Sequence, residues 1–185
     1  MIYKFDILFK KILTDGRIKV VSYSNLLENP NAFGENENLE GAVGELSVVK
    51  DGTEKGFSLN SLLGKYHSLL VGRLNSDTWG KKFPLQFSFN NPNDVASIKA
   101  QLVDDDGYLY SSTVETRKIN GEEILNLKNA DSYFIIISKE GIITVQGENA
   151  APQVIKQGET AFVMASTTKV SICSQNTTVM ILSSR

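Results

Sequence analysis

Apolar residues along this chain fall mostly in short runs or at alternate positions, the period-two signature of strands rather than the 3.6-residue period of helices. Phe5 to Ile12 and Arg17 to Tyr23 are two such segments, and the turn sequence Thr14-Asp15-Gly16 separates them. Asn29 to Gly44 is rich in Asn, Glu and Gly with little apolar periodicity and reads as a solvated connection. Helical spacing begins near Ser58, a good N-cap, with Leu59, Leu62, Leu63, Tyr66, Leu69 and Leu70 on one face and Gly72 placed to close it. Gly64 within that pattern costs about 1 kcal/mol relative to Ala, so packing of the leucine face has to hold this helix, at the outside or edge of a barrel. From Phe83 onward the pattern predicts strands: Phe83 to Phe89, Val95 to Val103, Tyr108 to Lys118, Glu123 to Leu127, Tyr133 to Gln146 and Gln153 to Ile155. Thr160 to Ala165, Lys169 to Ser174 and Thr177 to Ser183 follow, punctuated by Gln157-Gly158 and Gln175-Asn176. Many short strands with Gly and Asn turns predict an all-β antiparallel barrel or sandwich of the jelly-roll kind, with one short helix in the N-terminal half.

The bulk properties narrow the classes of function. A length of 185 residues with 41% hydrophobic content suits one domain, residues 1–185. Nineteen basic residues oppose twenty-one acidic ones without a long run of either sign, so no phosphate-tracking surface is expected and nucleic acid is not an expected partner. Met1 to Lys11 mixes charges among its apolar residues, unlike an export signal, and no stretch nears the roughly 18 apolar residues that span a bilayer. A soluble cytoplasmic protein without a membrane partner is expected. Cys173 is the one cysteine, which excludes an intrachain disulfide and suits a reducing compartment. His67 is the one histidine and cannot supply the several ligands of a catalytic zinc site.

Several blocks resemble the small bacterial type I mannose-6-phosphate isomerases, a cupin family. Gly34-Glu35, Gly41, Gly44 and Ser47-Val48-Val49-Lys50-Asp51-Gly52 are similar to the family's G-E-x-W-E-I-S and S-V-V-x-N-G stretches. Gly56, Leu59 and Leu62 follow as in G-x-x-L-x-x-L, then Leu70-Val71-Gly72 and Gly80-Lys81-Lys82-Phe83-Pro84-Leu85 as in L-x-G and G-x-x-F-P-L-L. Residues 1–106 thus resemble the family's N-terminal segment. Residues 107–185 resemble its last cupin repeat, through Asp131-Ser132-Tyr133, Glu140-Gly141 and Ile155-Lys156-Gln157-Gly158-Glu159-Thr160, with Met164 where proline is usual. The resemblance implies a cupin jelly roll and a place in carbohydrate metabolism.

The resemblance also implies zinc, and here the ligand positions differ. The family's Q-V-H segment, whose glutamine and histidine point inward two residues apart, falls on Lys99, Ala100 and Gln101. The family's glutamate, second histidine and catalytic arginine come from a middle region that this chain lacks. Isomerisation of an aldose to a ketose needs a Lewis acid or equivalent and a base, and neither is identifiable. The expectation is a non-catalytic isomerase-like cupin without a metal cofactor, binding a sugar or sugar phosphate or acting through protein contacts, with a homo-oligomer among its partners. The alternative is an active mannose-6-phosphate isomerase with a site rebuilt on Lys99, Gln101 or an oligomer interface.

Remaining candidates have a chemical and a plain reading each. Lys99 and Gln101 are candidate ligand contacts at the lost zinc positions, although a long-stemmed lysine usually carries its charge to water. Arg117 and Lys118 could receive a sugar phosphate through charge-assisted hydrogen bonds. His67 reads as a helix-surface histidine, Asp104-Asp105-Asp106-Gly107 as a solvated turn without the spacing of a calcium loop, and Cys173 as an unreactive strand residue. Trp79, Phe83, Phe87 and Phe89 read as core rather than as a sugar-stacking face.

Overall fold

A computed structural model describes residues 2–48, 85–103, 109–110, 112–126, 134–163, 167 and 169–184. The helical pattern from Ser58 to Gly72 lies outside these residues, as do His67, Trp79, Phe83 and Asp104 to Asp106.

Strands β1 (Ile2–Ile12) and β2 (Ile18–Ser22) form the expected hairpin. The Leu13 N–H donates to the Arg17 carbonyl at 2.8 Å, and Gly16 supplies the positive φ of +85° that the turn requires. Tyr23 does not end the second strand as the alternation suggested. Ser22 accepts a hydrogen bond from the Asn25 N–H at 3.1 Å and thereby caps helix α1 (Tyr23–Glu28), whose first residue is Tyr23. Six residues are too few for a helix to stand alone, so the burial of Tyr23 and Leu26 holds it.

Strand β3 (Val43–Val48) begins inside the stretch expected to be loop, and Gly44 belongs to it. A Cβ at Gly44 would meet Phe9 Cε1 at 2.9 Å and Phe87 Cβ at 3.1 Å, so the glycine there serves close packing in a strand. The remaining strands are β4 (Leu85–Phe89), β5 (Ile98–Val103), β6 (Leu109–Tyr110), β7 (Ser112–Asn126), β8 (Phe134–Ser138), β9 (Ile143–Gly147), β10 (Gln153–Ile155), β11 (Glu159–Val163) and β12 (Lys169–Ser184). Where the sequence suggested breaks, β7 and β12 are continuous. Gly121 at φ +92° and Asn176 at φ +60° let each strand bend without leaving the ladder, whose register shifts between Ser174 and Thr177. Conversely, the run Tyr133 to Gln146 divides into β8 and β9 at a turn where Gly141 has φ +75°.

Every strand pairing is antiparallel, along the order β10-β9-β12-β8-β11-β1-β3-β4-β5-β6, with β2 on β1 and β7 on β12. The first half of β12 pairs with β9 and the second with β8, while β7 follows both halves. Long strands shared between two sheets in this way make the corner of a jelly roll. Among the described residues the fold is mostly antiparallel sheet, as the pattern predicted, with one short helix, α1.

Two cores lie on opposite faces of the shared sheet. Ile135 and Ile137 of β8 and Phe162 of β11 face the first, with Phe5, Ile7, Phe9, Tyr23, Leu26 and Phe87. Ile136, Ala161 and Val163 face the second, which lies between the two sheets and contains Ile143, Val145, Ile172, Val179 and Ile181. Burial of β8 on both faces explains the unbroken apolar run of Ile135 to Ile137.

Candidate functional site

The interior of the jelly roll is where a cupin scaffold would carry chemistry, and its lining follows from strand alternation. The apolar members of the second core are all Ile, Leu, Val or Ala, and the buried Ser138 and Thr177 lie opposite two of them, Val179 and Ile119. The aliphatic side chains offer no lone pair or transferable proton, and the Ser138 hydroxyl donates to the Gly141 carbonyl at 2.9 Å.

Polar groups approach this interior along β7. Glu115, Arg117 and Glu123 lie opposite Ile181, Val179 and Ile172 of β12, so all three share the inward face with Ile119 and Leu125. Arg117 forms a two-pronged pair with Glu115, Nε to Oε1 at 2.6 Å and Nη2 to Oε2 at 2.7 Å, and its Nη1 reaches Glu123. Hydrogen bonds from Arg117 hold the Glu115 carboxyl below the usual carboxylate range, and the bond to Glu115 first, with that to Glu123, raises the guanidinium further above its ordinary value. With two carboxylates around one guanidinium, this rim is anionic by one charge. Alternation carries the signal for Glu115 and Arg117, two residues apart on one strand, whereas Glu123 joins them only through the bend at Gly121.

The other positions singled out from the sequence do not converge with this rim. Lys99 is exposed on β5 between buried Ile98 and Ala100, opposite Ser88. Gln101 follows in the same strand, opposite Gln86. Lys118 is exposed and lies opposite Thr178. Phe87 is wholly buried, and Phe89 stacks on Phe9 with ring centroids 4.5 Å apart. Cys173 is exposed on β12 between Glu122 and Thr144, in an open groove of about 760 Å³ bordered by Glu140, Ile142 and Asn176.

One cluster had no local signal at all. The Lys11 ammonium is buried, pairs with Glu37 at 3.0 Å and also donates to the Asn38 carbonyl. The second Glu37 oxygen accepts from Thr14 Oγ1 at 2.6 Å and from the Thr14 N–H at 2.9 Å. These bonds, those from Thr14 foremost, hold the Glu37 carboxyl at about 2 instead of 4.5. They tie the loop after α1 to the β1–β2 hairpin. Tyr23 carries a buried hydroxyl with no hydrogen-bond partner among the described residues, and burial, with the nearby Asp94 charge, pushes its pKa up.

A zinc ion, implied by the resemblance, does not fit what is described. Lys99 offers a cation at a position where the resemblance implies a ligand, and the carboxylates that face the interior, Glu115 and Glu123, are both bonded to Arg117. Among the described residues no group of three or more His, Cys, Asp or Glu side chains could hold a metal, and no helix is long and apolar enough to cross a membrane.

Neither a family model nor a curated protein matches the chain. Among solved structures, a candidate mannosephosphate isomerase from Archaeoglobus fulgidus is similar at 17% identity and a TM-score of 0.34, over 38% of this chain and 22% of that one. The ribosomal oxygenase YcfD from Escherichia coli is similar at 12% identity and a TM-score of 0.28, over 98% of this chain and 39% of that one. The chain therefore spans well under half the length of either structure.

Proposed function

We propose that this chain is a non-catalytic, cupin-like β domain that acts through protein contacts rather than by turning over a sugar phosphate inside its jelly roll. The observation behind this reading is an interior lined mainly by aliphatic side chains, with its inward carboxylates tied to Arg117. Moving a proton between adjacent carbons of a sugar requires a base within hydrogen-bond reach and a group to polarise the carbonyl; the aliphatic core provides neither, and the inward carboxylates of Glu115 and Glu123 are both tied to Arg117. The rim adds support. A sugar phosphate arriving at Arg117 would have to displace Glu115 and Glu123 and then sit beside both carboxylates, an unfavourable site for an anion. Lys99 and Lys118 are exposed single cations without converging donors among the described residues, and the lone Cys173 suits a reducing compartment such as the cytoplasm.

The test is isomerisation of mannose 6-phosphate by the purified chain with and without added zinc, alongside calorimetric titration with the same sugar phosphate. The expected outcome is no turnover and no saturable heat. Zinc-dependent turnover abolished by a chelator overturns the non-catalytic reading, and stoichiometric heat with a catalytically silent protein replaces protein contact by sugar binding.

A further inference from the structure

We infer that β7 is a self-recognition edge through which two copies of this chain pair antiparallel about a two-fold axis at Asn120. Strand β7 is 15 residues long and, among the described residues, hydrogen-bonds on one side only, to β12. A long free edge presents a row of backbone donors and acceptors, which another strand can satisfy. Charges on such an edge ordinarily repel an arbitrary strand. Here their order admits one particular partner, because both cations, Arg117 and Lys118, precede Asn120 and two of the three anions, Glu122 and Glu123, follow it, while the third, Glu115, is held by Arg117 of its own copy.

With two copies centred on Asn120, Lys118 of each falls opposite Glu122 of the other on the outward face, and Thr116 falls opposite Ile124. On the inward face Arg117 falls opposite Glu123, the residue type that it already contacts within one copy. The two-fold repeats each match. Other registers are worse, since centring on Lys118 opposes two lysines, centring on Glu122 opposes two glutamates, and centring on Ile119 opposes Glu115 to Glu123. Lys118, Asn120 and Glu122 are exposed, and Ile124 is an exposed large apolar side chain at 58%. The bend at Gly121 adjoins the axis, so both strands turn at the same place. The inference stands whether or not the chain is catalytic.

Sedimentation equilibrium on the full chain tests it, with K118E and the charge-exchanged K118E/E122K double variant, whose folding is checked by circular dichroism. The wild type is expected to dimerise with concentration. K118E turns both outward pairs from attractive to repulsive and should raise the dimer Kd by about tenfold or more, and the double variant should restore it. A wild type that stays monomeric, a dimer indifferent to K118E, or a double variant no better than K118E overturns the assignment. None of these results bears on the isomerase assay.

Discussion

Gly158 offers a sharp test of how helix α1 is docked. Its φ is +82°, its N–H donates to the Ser138 carbonyl at 2.7 Å, and a Cβ placed on it would lie 2.6 Å from Ser24 Cα and 2.8 Å from Ser24 N. Gly16 is a natural control, at φ +85° with nothing within 4 Å of its Cβ position. Alanine at either position pays about 1–2 kcal/mol for left-handed backbone and regains a similar fraction from a stiffer unfolded chain, so these contributions cancel in the comparison. At Gly158 the obstruction is helix backbone rather than a flexible side chain, and overpacking of that kind costs about 1–3 kcal/mol more. Urea unfolding of G158A and G16A should therefore differ by about 1–3 kcal/mol, with G158A the less stable. Equal losses would mean that α1 does not rest on Gly158, and the account of its docking would be wrong.

Two further outcomes follow from the cores and the loop lock. Ile172 is fully buried between the sheets, so I172A should cost about 2–5 kcal/mol in the same assay; a loss below 1 kcal/mol would show that the interior is not packed as described. Because the folded-state pKa of Glu37 is depressed, its contribution to stability is complete above the unfolded value near 4.5 and is lost as pH falls toward about 2. E37Q should flatten this acid limb of the stability curve, and wild type and variant falling in parallel would remove Glu37 from the account.

What the sequence determined by itself was the local alternation. The all-β class, the hairpin at Gly16 and the short strand Gln153–Ile155 all depend on side chains within a few residues of one another, so they were legible in order. The breaks were less legible. Gln175-Asn176 looks like a turn in sequence, yet β7 pairs with β12 on both sides of it and the two residues are taken up as an irregularity in the ladder; Ser22, by capping the Asn25 N–H, marks where the predicted strand gives way to a helix.

Only the tertiary structure decided the partners of the charged groups. Lys11 meets Glu37 across 26 residues, and Arg117 meets Glu123 because a glycine bends the strand between them. Electrostatic pairing depends on distance in space, which no local period encodes. The same distinction holds for the jelly-roll interior: alternation says that a residue faces inward, but whether the inward faces enclose a reaction site or pack against each other depends on how the two sheets meet.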